Sequence, residues 1–68
     1  MRVDHDEEVD AAYITLAEIR AGDVTTTVTV TDSINLDFDA DGKLVGIEIL
    51  AARTLLRDET LDIANPSY

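Results

Sequence analysis

The chain has 68 residues, 46% hydrophobic and 29% charged, a size and balance that fit one small domain and exclude a multi-domain enzyme. Fifteen acidic residues against five basic ones leave a net charge of -10, which opposes approach to nucleic-acid phosphates or an anionic lipid surface. Cysteine is absent, so disulfides and thiolate metal sites are excluded too.

Val, Ile, Leu and Phe supply 20 of the 68 residues, above the roughly 20% floor of a disordered chain, so a packed core is expected. A chain this short buries only about 60% of its unfolded surface, and domains of this size commonly lean on disulfides, a metal or self-association. No apolar run has the length of a signal peptide's core or of a membrane span, so a soluble, cytoplasmic protein is the expectation. Asp outnumbers Glu by ten to five and Lys43 is the single lysine. That bias suits a protein kept soluble in a high-salt cytoplasm, where screening relieves the repulsion of an acidic surface.

In chain order, Val3 and His5 precede the acidic stretch Asp6 to Asp10 and can pair with the residues beyond it. From Ala11 to Leu16 the pattern alternates, with Ala12, Ile14 and Leu16 on one side and Ala11, Tyr13 and Thr15 on the other, as in a half-buried strand. Ala17 to Gly22 reads as a connection with room for one helical turn, closed by Gly22-Asp23. Val24 to Thr31 is eight consecutive β-branched residues, which suit a pleated surface and crowd a helical turn. Ile34, Leu36 and Phe38 then alternate with Asn35 and Asp37. Across Asp41-Gly42, a hairpin signal, Val45, Ile47 and Ile49 do the same. A two-residue turn there sets Phe38 opposite Val45, Leu36 opposite Ile47 and Ile34 opposite Ile49. Ala51 to Arg57 has good helix formers, with an apolar stripe of Ala51, Ala52, Leu55 and Leu56. Residues 1–57 thus read as one domain, and 58–68 as a tail that is loop, short edge strand or partner-binding arm, with Pro66 opposing helix.

Two stretches carry a family resemblance. Residues 6 to 16, DEEVDAAYITL, and residues 34 to 52, INLDFDADGKLVGIEILAA, resemble the bacterial and archaeal domain of unknown function 2283 family: an acidic turn before Asp-Ala-x-Tyr-Ile-x-Leu, then an Asp-Gly turn leading to Gly-Ile-Glu-Ile-Leu. His5 departs from the aromatic that members often carry there, a change that touches packing. The resemblance implies a small meander-like sheet followed by a helix, and no chemistry.

Residues Asp37 to Glu48 fit the calcium-loop pattern D-x-[DN]-x-[DN]-G-x5-E. Such a loop needs an entering and an exiting helix, whereas here period-two apolar residues flank it. Glu48 would lie two to four residues along the ladder from the partner of Asp37, roughly 7 to 14 Å at about 3.4 Å per residue. The expected arrangement is a hairpin tip whose aspartates organise the turn, with Asp41 and Gly42 at its apex and Asp37, Asp39 and Asp41 as weak cation-ligand candidates. Asn35, Asp37 and Glu48 share the polar face; a carboxylate pair there does acid/base work only where its surroundings split the two pKa values. The cluster of Asp4, Asp6, Glu7, Glu8 and Asp10 around His5 resembles a metal site in composition alone, since one His supplies one imidazole. Ser33 and Ser67 have no second His or G-x-S-x-G elbow to activate them, and Gly22, Gly42 and Gly46 do not cluster as a phosphate loop does. Arg53 and Arg57 are the single local basic pair, better suited to bridging acidic neighbours than to reading a nucleic acid.

The expected fold class is α+β: a small antiparallel β-meander of about four to five strands with a short C-terminal helix on one face. Its expected core is Ile14, Leu16, Val28, Val30, Leu36, Phe38, Val45, Ile47, Ile49, Leu55 and Leu56. One such layer buries little, so a homodimer through the sheet face or an edge strand is expected. The expected function is a non-catalytic interaction module, self-associating and capping a basic protein partner in the manner of an antitoxin or accessory subunit. No cofactor, nucleic acid or membrane enters this reading. A cation-binding module through Asp37, Asp39 and Asp41 stands second, and an enzyme with an inter-subunit Asp37/Glu48 site third.

Overall fold

A computed structural model of the chain describes residues 1–66. Strands β1 (Arg2–Asp6) and β2 (Ala11–Thr15) form one hairpin, and β3 (Thr26–Thr31), β4 (Ile34–Phe38) and β5 (Leu44–Leu50) form a three-stranded run. Helix α1 (Ala52–Leu55), helix α2 (Asp58–Asp62) and the two-residue strand β6 (Asn65–Pro66) complete the chain. The class is the expected one, a small and mostly antiparallel α+β unit. The strand order is β3-β4-β5-β2-β1-β6, so the two strand groups join through β5 and β2 rather than through sequence neighbours. The sixth strand pairs parallel to β1.

Parity decides the register of β4 and β5. The amide of Asp39 donates to the carbonyl of Lys43 and that of Gly42 to the carbonyl of Asp39, leaving a three-residue loop, Ala40 to Gly42, with Gly42 at φ 77°. An odd loop would turn one apolar set away from the other. A bulge at Val45 restores the match: Phe38 faces Leu44, while Leu36 faces Ile47 and Ile34 faces Ile49. Two of the three expected pairs therefore hold, and Phe38 is displaced from Val45 because the turn has three residues, not two.

All the apolar alternation lies on one face, but α1 and α2 cover only part of it. Ala12, Ile49 and Ala52 form the buried cluster, with Ile14, Ile47, Leu56 and Leu61 packed against it. Val45 is also buried. Leu16, Val28, Val30 and Leu55, expected in the core, are exposed; Val28 and Val30 keep 45% and 56% of their surface. The reason is lateral reach: helices of four and five residues set Ala52 and Leu61 against Ala12, Ile14, Ile47 and Ile49 of β2 and β5, and no β3 residue joins that cluster. No helix forms in residues 17–22, which turn through Gly22 at φ 85°. Within the tail read as loop, short edge strand or partner-binding arm, residues 58–62 are helical, Leu61 joins the core from there, and Asn65–Pro66 is a short edge strand. Ser67 lies outside the described residues.

Candidate functional site

Opposite the helices, the sheet carries a lattice of polar side chains. Register brings Tyr13 beside Glu48, Glu48 beside Asn35, Asn35 beside Thr29 and Asp37 beside Thr27, all on one face. The Tyr13 hydroxyl donates to Asp37 Oδ2 at 2.6 Å, and the Thr27 hydroxyl to Asp37 Oδ1 at 2.7 Å. Asn35 Nδ2 donates to Glu48 Oε1 at 2.8 Å while its Oδ1 accepts from the Thr29 hydroxyl at 2.7 Å. Both oxygens of Asp37 are thus engaged by neutral hydroxyls, and Glu48 is held by an amide. Asp37 and Glu48 occupy separate links of this lattice rather than forming an acid/base pair.

Gly46 makes the lattice possible. Its register partners are Asp37 on β4 and Thr15 on β2, and the Tyr13 ring lies across it, where a Cβ would collide with the hydroxyl and ring carbons. Burial, then the hydrogen bond to Asp37 and the charges of Asp37 and Glu48, push the Tyr13 hydroxyl up to about 12. Tyr13 is therefore a fixed donor and no general base near neutrality.

A second node joins the N-terminal hairpin to the helices. Asp10 adopts φ 54° at the end of the four-residue β1–β2 turn and Ala51 adopts φ 53° after β5, so two sharp bends meet. The Asp10 carbonyl accepts from the Ala52 amide at 3.0 Å, and its carboxylate accepts from the Arg53 amide at 3.2 Å. Asp10 thereby does for α1 what an N-cap residue does from within the chain. His5 Nε2 lies 2.9 Å from the same carboxylate and is buried, and Arg53 reaches the Glu7 carbonyl at 3.1 Å. The His5 hydrogen bond, together with the Arg53 amide and the Arg53 charge, outweighs burial and holds the Asp10 carboxyl below its ordinary value. Asp4 pairs with Arg2 at 2.9 Å and Asp6 accepts the Glu8 amide, so the three aspartates around His5 serve a surface pair, a turn and a cap.

At the hairpin tip, Asp39 Oδ1 accepts the amides of Asp41 and Lys43, each at 2.9 Å. Strands flank the calcium-loop string on both sides, and Glu48 bonds Asn35 instead of returning to Asp37. Among the described residues, no group of three or more His, Asp or Glu side chains is placed to hold a metal ion. Nor is any of their helices long and apolar enough to cross a membrane.

The family model described as protein of unknown function (DUF2283) matches residues 2–53. The chain belongs to the DUF2283 family. Its matched region contains β1 to β5 and ends at Arg53, so Asp10 and the amide that it caps both fall within the DUF2283 span, as do Tyr13, Asp37, Gly46 and Glu48; α2 and β6 lie beyond it. No match was found among curated proteins or among solved structures.

Of the residues singled out in the sequence, Asn35, Asp37 and Glu48 meet in the polar lattice, whereas Asp37, Asp39 and Asp41 divide between lattice and turn. Tyr13, Thr27 and Thr29 were not singled out as partners of those carboxylates. Alternation put Tyr13 on their face, but which strand would lie beside β2 was not readable. Asp10 gave no local signal, because the amide it caps is 43 residues away.

Proposed function

We propose that this DUF2283 protein is a non-catalytic interaction module that associates with itself and, through its acidic surface, with a basic protein, as an antitoxin or accessory subunit would. The observation that carries the reading is the incomplete cover of the apolar sheet face: Val28 and Val30 remain open beside the half-buried Leu36 and Phe38. Burying each valine on association contributes on the order of 1 kcal/mol, a strong incentive in a domain with so small a core. The polar face supports the absence of catalysis in this reading, since its carboxylates are tied to hydroxyls and an amide and its tyrosine is a poor base.

Light scattering over a concentration series tests the self-association. A mass twice the 7.4 kDa of the chain is expected at high concentration, and a monomer throughout would overturn it. Co-purification at the ionic strength of the source cell, against an acidic control of matched charge, tests for the basic partner.

A further inference from the structure

The two edges of the sheet are made differently. At one, β6 is two residues long and includes Pro66, which has no amide to donate, two devices that stop further strand addition. At the other, β3 offers six exposed residues with no neighbouring strand on its outer side among the described residues. It lacks the lysines, prolines and inward charges that usually guard an edge. Its one irregularity is a bulge between Thr29 and Thr31, next to the turn, leaving Thr26 to Thr29 in regular register with β4.

Charge narrows what can lie against that edge. Val24 to Thr31 is the longest stretch without a charged residue in a chain of net charge -10. The polar face of a second, equally acidic copy presents Asp37 and Glu48, whereas this strip itself carries no charge. Within the regular part of the strand, Thr27-Val28-Thr29 also reads the same in both directions. Antiparallel pairing with itself therefore matches threonine to threonine and valine to valine, keeping both apolar faces on one side. Thr27 and Thr29 are already fixed by hydrogen bonds to Asp37 and Asn35, so little side-chain freedom remains to be lost.

We propose that β3 pairs antiparallel with β3 of a second copy across a two-fold axis, joining the two sheets edge to edge. The contact is isologous, and its two-fold axis closes it. Joining the edges also sets Val28 and Val30 of both copies side by side, so the two open apolar halves become one. This rests on the self-association reading above and fixes where the contact lies. Because each copy carries the same charge, association tightens severalfold from low to molar salt as repulsion is screened.

The absence of native cysteine makes the test clean. Single cysteines are placed at Thr26, Thr27, Val28 and Thr29, with Leu36→Cys one strand inward as the control, all in the full chain. Directly opposed Cβ atoms lie about 4.5–5.5 Å apart and diagonal ones about 7–8 Å, so a residue cross-links to its own copy only on the axis. One position among Thr27, Val28 and Thr29 is expected to give disulfide dimer while its neighbours and Leu36→Cys do not. Amide exchange of the unmodified chain gives a readout without substitution: β3 amides lose protection on dilution, while those of β2 and β5 do not. A dimer whose β3 amides exchange at the same rate at every concentration, or that cross-links through Leu36→Cys, puts the contact on the sheet face and overturns edge pairing while sparing self-association. A monomer at every concentration overturns both.

Discussion

At one end of the sheet, β1, β2 and β5 lie beneath two helices, Ala52 is wholly withdrawn from solvent, and Asp10 fastens hairpin to helix. At the other end, β3 and β4 have the same alternation and the same β-branched residues, yet among the described residues no side chain of either helix joins them in the core cluster. Side-chain composition does not separate the two ends: valine and isoleucine point to the apolar face in both. What separates them is whether a following segment is long enough, and anchored closely enough, to lie on top. The first end holds the fold together, and the second is left to a contact outside the chain.

The largest expected effect tests that division. Ile49→Ala, in the covered half, should cost about 2–5 kcal/mol, whereas Val28→Ala should stay within about 0.5 kcal/mol in dilute monomer. Urea unfolding measures both, and equal losses would break the comparison. On the polar face, Gly46→Ala should cost about 1–3 kcal/mol, since its Cβ must displace the Tyr13 ring; Tyr13→Phe, which removes one hydroxyl, should cost about 1 kcal/mol. The same hydroxyl gives an alkaline signature. A folded-state value raised from 10.0 to about 12 means that its contribution is complete below pH 10 and is lost as pH climbs towards 12, a loss that Tyr13→Phe should abolish.

The smallest expected change concerns Asp10. Its carboxyl sits below the ordinary 3.8 when folded, so its contribution is present above that pH and disappears as acid protonates the folded form. Asp10→Asn should flatten this acid limb in pH-dependent thermal melts. An unchanged limb would mean that the cap and the His5 contact do not hold hairpin to helix.

Much of the sheet was legible in the sequence because period-two alternation is local. Ile34, Leu36, Ile47 and Ile49 revealed both strands, their shared face and two of their three pairs. Three features were not local and escaped. The Val45 bulge depends on the loop having three residues, which Asp41-Gly42 does not specify. Burial of Val28 and Val30 was expected from hydrophobicity, but the deciding fact is the reach of α1 and α2. The polar site was half visible: Asn35, Asp37 and Glu48 share a face by parity, whereas Tyr13 joins them only because β2 lies beside β5. The acidic calcium-like string was legible as a turn once its flanks were read as strands, and the Asp39 hydrogen bonds supply the reason.

The tie between Asp10 and Arg53 also sets an order of events during synthesis. Asp10 emerges with the first hairpin, but the amide it caps follows 43 residues later. A helix of four residues does not nucleate unaided, so α1 forms only against a sheet already built around β5, the strand joining the two groups. Until Arg53 has been made, the first hairpin waits with the inner side of Ala12 and Ile14 bare, and the core closes only when that separation is bridged.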